Sequence, residues 1–427
     1  MARRLAWRKV LGGSTAEGST ASGSTASGST ASGSAAGGAG RAAALLLGAL
    51  LLTSCSASPS SGSGDALPSV STAVVTVTPG DGASQVPAQG GVSVTVRSGR
   101  LTQVRLSDDH GTDVPGTTAA DGSSWQPAAE LLPETRYSLD AVAVDAHGQQ
   151  AAKHAVFTTF VPTHTFIGFY TPEDGRTVGV GMEVSLRFNR DIADRAAVER
   201  GVSVTASPAV PVVGHWFGAR RLDFRPQRFW QPGTRVTLAL HLKGVEGAPG
   251  VYGTQQKQIA FTIGRAQIST ADVGADTMAV RRDGELLRTL PISAGAPEHA
   301  TYGGIMVITG MFEVTRMDSQ SVGLGSEYDI PAVPHAMRLT DSGTFVHGVY
   351  WRPASLFGSA NTSHGCIGLH DAKGGSDTSP AGWMFDHSIP GDVIEVVDTD
   401  GTPVAPDNGL NGWNMPWSQW IAGSALH

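Results

Sequence analysis

Short stretches in which apolar and polar residues alternate recur from about Val70 onward. Such stretches span residues 92–96, 101–106 and 136–144. A period of two places every second side chain on one face of a β-strand, and turn-forming residues such as the Pro-Gly-Asp-Gly of 79–82 separate the stretches. Strands repeated at intervals of about ten residues are typical of a β-sandwich. The pattern therefore predicts that this part of the chain is mainly β.

The pattern of residues 70–160 is repeated in residues 161–264. In each half, an aromatic residue and a proline precede a strand that starts with Thr-Arg, at Thr135 and again at Thr234. Each half then closes with a strand that contains Phe-Thr. The repeat predicts two tandem immunoglobulin-like sandwiches with these boundaries. A single larger, irregular β domain is the alternative.

The pattern changes after Ala266. Two strands are predicted on either side of Asp283-Gly284, a dipeptide that favours a two-residue hairpin turn. One short helix is predicted near residues 380–387, ahead of a Pro-Gly pair. Further strands are predicted at residues 304–314, 343–347 and 393–397. We therefore expect residues 265–398 to form one mostly-β domain.

Aromatic residues are concentrated in two places. The first group comprises His215, Trp216, Phe229 and Trp230, which we interpret as core and module-interface residues, with an exposed binding patch as the alternative. The second lies in the C-terminal extension, residues 399–427, where three tryptophans occur within eight residues. Because tryptophan buries a large area, we expect this extension to pack against a folded domain.

Residues 1–55 have the features of an export signal. A basic start and a low-complexity tract precede an apolar run at 42–52, which is too short to span a bilayer but fits the core of a signal peptide. The run ends in Leu-Thr-Ser and Cys55, which resembles the bacterial lipobox, whose cysteine is lipidated. A Ser-, Gly- and Pro-rich tether follows at 56–69. The alternatives are an uncleaved anchor with an incidental cysteine, and a translation start further downstream.

Composition narrows the possible partners and cross-links. The 427-residue chain has a formal net charge of −7, which argues against nucleic acid because phosphate binding needs a basic surface. The chain has two cysteines, Cys55 and Cys366. If the first is lipidated, the exported body carries one thiol, and we expect no disulfide framework.

That thiol lies in the stretch with the clearest chemical signal, Ser-His-Gly-Cys at 363–366. A cysteine is an effective nucleophile when a neighbouring base raises its thiolate fraction, and His347, predicted at the end of a strand, is the candidate base. Gly348 and Gly365 would let the backbone approach a substrate closely. The N–H groups of Gly365 and Cys366 are candidate donors to an oxyanion.

Two alternatives assign this thiol no nucleophilic role. It could be a small buried hydrophobic side chain, which is the commonest state of a lone cysteine. It could also bind zinc together with His347, His364 and His370, although this set lacks a second cysteine and the usual ligand spacing.

The residues 346–348, Val-His-Gly, followed by fourteen residues and then Ser-His-Gly-Cys, resemble the signature of the L,D-transpeptidases, enzymes with a YkuD-like catalytic domain. The resemblance extends along the chain. The lipobox, the two immunoglobulin-like modules, the catalytic domain and the extension with Trp-Asn-Met-Pro-Trp at 413–417 are similar to mycobacterial and other actinobacterial members.

The resemblance implies cross-linking of peptidoglycan by acyl transfer. Cys366 would attack the carbonyl of the third residue of a tetrapeptide stem and release the terminal D-Ala. An amine of a second stem would then take the acyl group and form a 3→3 cross-link. His347 would act as the base, with its ring oriented by the Gly348 carbonyl. The implied substrate-binding residues are Met317, Tyr328, Ser363, His364 and Gly365.

The resemblance also indicates the partners. Donor and acceptor stem peptides would be the substrates, carbapenem β-lactams would acylate the thiol as inhibitors, and no metal or cofactor would be needed. Lipidation at Cys55 would attach the protein to the outer face of the cell membrane, from which it would reach into the cell wall.

One position departs from the family pattern. The asparagine that usually stands two residues after the cysteine is replaced by Gly368, and His370 is a candidate substitute for it. Two other functions remain open. One is an L,D-carboxypeptidase, in which water takes the acyl group. The other is a non-catalytic wall-binding lipoprotein, against which the intact His347 and Cys366 argue.

Overall fold

The computed structural model of the chain describes residues 70–323 and 325–426. The predicted export signal, the tether and the lipidation residue Cys55 lie outside the described residues. In the part of the chain that is described, no helix combines the length and the apolar character needed to cross a membrane.

The first module consists of two four-stranded antiparallel sheets, β1-β2-β6-β5 and β4-β3-β7-β8. The strands are β1 (Val74–Thr78), β2 (Ser93–Arg97), β3 (Arg100–Asp108), β4 (Asp113–Val114), β5 (Gly116–Thr118), β6 (Ser124–Pro127), β7 (Arg136–Val144) and β8 (Gln150–Thr158). Alternation along β7 explains the packing. Tyr137, Leu139, Ala141 and Ala143 are buried in the core between the sheets, whereas the residues between them are more exposed.

The second module is again built from two four-stranded sheets, β10-β12-β15-β14 and β11-β19-β16-β13, with a small third sheet β17-β18-β9. Its elements are β9 (His164–Phe166), β10 (Gly168–Thr171), β11 (Thr177–Val178), β12 (Val184–Phe188), α1 (Arg195–Arg200), β13 (Val202–Ser207), β14 (Val213–Phe217), β15 (Arg221–Arg225), β16 (Arg235–His241), β17 (Glu246–Ala248), β18 (Val251–Gly253) and β19 (Gln256–Ile263). The prediction of a mainly β chain with immunoglobulin-like sandwiches is confirmed.

The C-terminal domain is built on one nine-stranded mixed sheet in the order β23-β28-β20-β21-β22-β27-β26-β25-β24. Its strands and α-helices are β20 (Gln267–Asp272), β21 (Thr277–Arg282), β22 (Glu285–Ser293), β23 (Gly304–Val307), β24 (Gly310–Asp318), β25 (Asp329–Arg338), β26 (Phe345–Val349), β27 (Ile367–His370), α2 (Pro380–Asp386) and β28 (Val393–Val397). Short 3₁₀ helices lie at Pro297–His299, Ser319–Val322 and Ala354–Leu356.

The hairpin between β21 and β22 forms as the sequence predicts. Asp283 and Gly284 both have positive φ, 51° and 89°, which is the backbone conformation that a tight two-residue turn requires. The helix predicted near residues 380–387 is α2, whose first turn is capped by the Ser379 hydroxyl accepting from the Gly382 N–H at 2.9 Å.

Two strand predictions in this domain were wrong in their extent. The single strand predicted at 304–314 is two strands, β23 and β24, at opposite edges of the sheet. The chain changes partners between them, because the Ile308 N–H donates to the Asp392 carbonyl and the Thr309 N–H donates to the Arg338 carbonyl. The strand that carries His347 also continues to Val349, so His347 lies at the middle of β26 rather than at its end.

The C-terminal extension packs on the second module, as its tryptophans predict. It contains a 3₁₀ turn at Gly412–Asn414 and the helix α3 (Trp417–Ala422). Trp420 is fully buried, and its indole N–H donates to the Val213 carbonyl at 2.9 Å. The Arg225 guanidinium lies over the rings of Trp413, Trp417 and Trp420, at 4.8, 5.3 and 4.3 Å from their centres. These contacts fix the extension to β14 and β15.

The clustered aromatic residues of the second module belong to its core and to this interface. Trp216 and Trp230 are buried in the core. Phe229 meets Trp413 edge-on at 4.6 Å between ring centres, and His215 stacks on Trp420 at 4.9 Å. The interpretation of these residues as core and interface aromatics is confirmed.

The second module and the C-terminal domain are joined by backbone hydrogen bonds. The N–H groups of Gly179 and Gly181 donate to the carbonyls of Pro390 and Gly391, both at 2.9 Å. A Cβ on Gly179 would overlap the backbone at Gly391, so this approach requires glycine. The junction therefore positions the loop before β28 directly against the second module.

Candidate active site

The candidate nucleophile and base lie on neighbouring parallel strands. β26 carries His347, and Cys366 immediately precedes β27, whose Ile367 and Gly368 pair with Val346 and His347. Parallel pairing brings Cys366 beside the start of β26, although 18 residues separate it from His347 in the sequence. Both side chains line one cavity of about 310 Å³. The structure therefore brings together the pair that the sequence predicted.

The His347 ring is held in one tautomer by its own strand. Nδ1 lies 3.1 Å from the Gly348 carbonyl oxygen, which can only accept, so Nδ1 carries the proton and Nε2 is left as the free base. The Trp351 ring lies nearly parallel to the imidazole, with 6.0 Å between the ring centres. Burial lowers the pKa of His347 below its usual value, because it disfavours the charged imidazolium.

The Cys366 thiol is free and half-buried beside the cavity. Burial raises its pKa to about 11, because the enclosed site disfavours the thiolate. Sγ lies 3.6 Å from the Gly343 carbonyl oxygen, to which the thiol donates a weak hydrogen bond. Among the described residues, no hydrogen bond joins Sγ to His347. The resting pair is thus a neutral thiol beside a neutral imidazole.

Ser363 and Gly365 shape the turn that presents the thiol. The Ser363 hydroxyl donates to the Cys366 carbonyl at 2.6 Å and accepts from the Gly365 N–H at 3.2 Å. Gly365 has a φ of 102°, which side chains with a Cβ rarely adopt. In this structure the Gly365 N–H donates to Ser363 Oγ, and the role of the Gly365 and Cys366 N–H groups as oxyanion donors stays a prediction.

The position of the missing asparagine is closely packed. A Cβ on Gly368 would lie 3.0 Å from a Val349 methyl and 3.2 Å from the Ser293 carbonyl oxygen. His370 packs its ring edge-on against Phe357 at 5.6 Å, and in the described part of the chain its side chain makes no hydrogen bond to the loop before Cys366. His370 therefore does not take the place of the asparagine.

Other side chains hold the loop that leads to the thiol. The Asn361 amide accepts from the Ala294 N–H at 2.6 Å and donates to the Val273 carbonyl at 3.0 Å. The Ser293 hydroxyl donates to the Ala360 carbonyl at 2.8 Å. These bonds tie the loop to the end of β22. The sequence analysis missed both residues, since nothing in their local pattern marks them.

The remaining predicted substrate residues converge on the same cavity. Met317, Tyr328, Ser363 and His364 line it. The Gly348 carbonyl contacts His347, and the Gly365 N–H donates to Ser363. Tyr328 lies 5.0 Å from the His364 ring, centre to centre. Burial, and then the nearby Cys366 and Glu327, raise the pKa of Tyr328 to about 12, so its hydroxyl is a hydrogen-bond donor at neutral pH.

Comparisons with known proteins agree with this architecture. Residues 266–396 match the YkuD model, the L,D-transpeptidase catalytic domain, and residues 83–246 match the Big_10 model, a bacterial Ig domain. L,D-transpeptidase 2 of Mycobacterium tuberculosis is 36% identical over 351 residues, which cover 81% of this chain and 83% of the relative. The chain belongs to the L,D-transpeptidase family. L,D-transpeptidase 5 of the same species is 30% identical, over 82% of this chain and 77% of the relative.

Among solved structures, LD transpeptidase LdtMt1 in complex with imipenem aligns with 55% of this chain and 100% of that chain, at 32% identity and a TM-score of 0.46. An L,D-transpeptidase from Mycobacterium smegmatis aligns with 54% of this chain and 97% of that chain, at 29% identity and a TM-score of 0.42.

The L,D-transpeptidase site has supporting residues that the sequence did not reveal. The buried carboxylate of Asp371 accepts from His335 Nδ1 at 2.7 Å and lies directly behind Gly348, where any Cβ would overlap it. This packing fixes the strand whose carbonyl orients His347. The sequence analysis also missed Trp351 as a residue of the site. Its position four residues after His347 would place both side chains on the same face of an extended strand.

The zinc alternative raised by the sequence is wrong in its choice of ligands. Among the described residues, the side chains of His347, His370 and Cys366 do not form a metal-ligating cluster. His364 instead belongs to a group with His299 and Glu327 at the edge of the cavity.

Proposed function

We propose that this protein is a peptidoglycan L,D-transpeptidase that forms 3→3 cross-links through an acyl-enzyme on Cys366. The observation that carries the proposal is the placement of Cys366 and His347 on adjacent parallel strands beside one cavity, with the His347 ring held as an Nδ1–H tautomer by the Gly348 carbonyl. Membership of the L,D-transpeptidase family supports the choice of substrate.

The first half-reaction forms a thioester. Cys366 Sγ attacks the carbonyl carbon of the third residue of the donor tetrapeptide as its proton passes to His347 Nε2. The tetrahedral intermediate collapses by breaking the bond to the terminal D-Ala, whose amine leaves with the proton from His347. Because the pKa of the resting thiol is raised, its proton has to pass to His347 before or during the attack.

The second half-reaction transfers the acyl group to an acceptor. A side-chain amine of a neighbouring stem attacks the thioester carbonyl and gives a proton to His347 Nε2. The C–S bond breaks, the sulfur takes that proton, and the free thiol is restored. The Tyr328 hydroxyl and the backbone around Cys366 line the cavity in which the carbonyl oxygen becomes negative.

The proposal includes the location of the enzyme. Lipidation at Cys55 would attach it to the outer face of the cell membrane, and the immunoglobulin-like modules would act as a spacer toward the cell wall. The support is the lipobox-like sequence alone. Metabolic labelling with a palmitate analogue tests it. Label should enter the full-length protein and be absent from Cys55→Ser, and equal labelling of both would refute the anchor.

The activity is tested by intact-protein mass spectrometry with meropenem, a carbapenem. The full-length chain carrying Cys55→Ser leaves Cys366 as its only thiol, so one covalent adduct is expected, and Cys366→Ala should give none. An adduct that persists in Cys366→Ala would refute the nucleophile. Incubation with a tetrapeptide muropeptide should then yield a cross-linked dimer, whereas a tripeptide alone would indicate the carboxypeptidase.

A further inference from the structure

Three potential metal ligands face one another at the edge of the active-site cavity. His299 Nε2 lies 3.3 Å from Glu327 Oε2, and His364 Nε2 lies 3.2 Å from the same oxygen. All three ligand atoms lie within 4.8 Å of one another. The three side chains come from separate segments, the 3₁₀ turn after β22, the loop before β25 and the loop before Cys366. The tertiary structure alone brings them together.

The two contacts to Glu327 Oε2 have the spacing of neighbouring ligand atoms in a metal site. Charge-assisted N–H···O bonds are shorter, typically about 2.7–2.9 Å. Nitrogen and oxygen ligands bind zinc at roughly 2.0–2.1 Å, so neighbouring ligand atoms of a tetrahedral site stand about 3.3–3.4 Å apart. Both contacts to Glu327 Oε2 are within about 0.2 Å of that edge length.

The charges in the cluster also favour a cation. Within the described part of the chain, the only ion-pair partners of Glu327 are the two imidazoles, and no lysine or arginine lies within ion-pair distance of its carboxylate. The side chains of His299, Glu327 and His364 are 26%, 41% and 37% exposed, so an ion from solvent can reach them. Two imidazoles and one carboxylate form a ligand set that suits Zn²⁺ and leaves a position open to a fourth ligand.

We infer that His299, Glu327 and His364 form a binding site for a divalent transition metal ion of the Zn²⁺ class, and that its occupancy restrains entry of the stem peptide. His364 and Glu327 line the cavity, and His364 stands two residues before the nucleophile. A bound ion would hold these two side chains together at the cavity wall and occupy part of its space. The effect on entry rests on the proposed function, whereas metal binding does not.

Binding is tested first, without reference to activity. The full-length chain carrying Cys55→Ser is titrated with Co²⁺, which reports tetrahedral coordination by its visible d–d absorption, and with Zn²⁺ by calorimetry. One ion per chain is expected. His299→Ala and Glu327→Gln should each weaken binding by more than about 100-fold, since loss of an outer-shell partner alone costs roughly 10–100-fold.

Two controls identify the site. His154→Ala removes another histidine–carboxylate pair, the exposed 2.7 Å contact with Asp140, and should leave binding unchanged. Cys366→Ala should also retain binding, which separates this site from metal held by the catalytic thiol. The inference is overturned if no d–d absorption develops, if it survives both His299→Ala and Glu327→Gln, or if Cys366→Ala abolishes it.

Access is tested by the rate of meropenem acylation with and without Zn²⁺. Zinc should slow acylation of the parent protein at least tenfold, chelation should reverse the effect, and His299→Ala should be acylated at the parent rate in both conditions. Equal rates with and without zinc, at saturating metal, would overturn the restraint on entry. A protein that binds cobalt but is never acylated would refute the proposed function and leave the metal site standing.

Discussion

The protonation state of Cys366 can be measured directly through its alkylation. The pKa of the thiol is about 11, against an ordinary value of 9.0, because the site around it disfavours the charged form. At pH 7 the thiolate fraction is then about 10⁻⁴, roughly 100-fold below that of an unperturbed thiol. Alkylation by iodoacetamide, which needs the thiolate, should be slower by about the same factor.

The assay follows intact mass over time in iodoacetamide, between pH 6 and 10, on the chain carrying Cys55→Ser. The rate constant should rise about tenfold per pH unit and reach no plateau below pH 10, because the thiolate fraction rises in that proportion well below the pKa. The same chain unfolded in denaturant is the control. Its exposed thiol should react faster at neutral pH, with a half-maximal rate near pH 9 and a plateau at higher pH.

The variant His347→Ala distinguishes two roles of His347: a general base that acts during the reaction, and an imidazolium that pairs with a preformed thiolate. If His347 acts only during the reaction, its removal should lower meropenem acylation by roughly 10²–10⁴-fold and change alkylation at pH 9 by less than about tenfold. A preformed thiolate–imidazolium pair predicts the opposite pattern. Rapid alkylation on a plateau between about pH 5 and 8, abolished by His347→Ala, would refute the neutral resting pair.

Three further predictions concern the supports of the site and the domain junctions. Gly348→Ala should lower the rate of meropenem acylation by about 100-fold in the mass-spectrometric assay. The added Cβ would overlap Asp371 and shift the carbonyl that orients the His347 ring. An unchanged rate would contradict the orienting role of the Gly348 carbonyl. Trp420→Ala removes a fully buried indole and should lower the free energy of unfolding of the second module by about 3–5 kcal/mol. The measurement is chemical denaturation followed by circular dichroism. As the control, Ser418→Ala at an exposed position should change this free energy by less than about 0.5 kcal/mol. Burial raises the pKa of Asp392 to about 7, above its ordinary value of 3.8. Its contribution to stability is therefore fully present below about pH 4 and is lost as the pH rises through 7. In thermal unfolding, Asp392→Asn should flatten the decline of melting temperature with pH, and an unchanged decline would refute the raised pKa.

Much of the fold could be predicted because its strands have local signals. The alternation at 136–144 coincides with β7, and the Asp283-Gly284 pair forms the predicted turn. The division of 304–314 was missed, although Thr309-Gly310 interrupts its apolar residues, because the partners of the two halves depend on where Asp392 and Arg338 accept hydrogen bonds. Where a strand begins and ends is decided by hydrogen-bonding partners that lie far away in the sequence.

The site shows the same division between local and non-local information. His347 and Cys366 stand in short motifs with recognisable chemistry, so the sequence identified both. Asn361, Ser293 and Asp371 act through contacts with residues 36 to 88 positions away, and no local pattern marks them. His299 and Glu327 likewise become neighbours of His364 only in the folded domain.

The sequence by itself identified the candidate nucleophile and base, the order of the domains and the mainly β character, because residue type and short-range periodicity carry that information. Only the tertiary structure decided that burial raises the pKa of the thiol, that the Gly365 N–H donates to Ser363, and that the tryptophan-rich extension packs on the second module. The physical reason is that pKa values, hydrogen-bond partners and buried contacts depend on the surroundings of a group. Those surroundings are assembled from segments that the linear chain keeps apart.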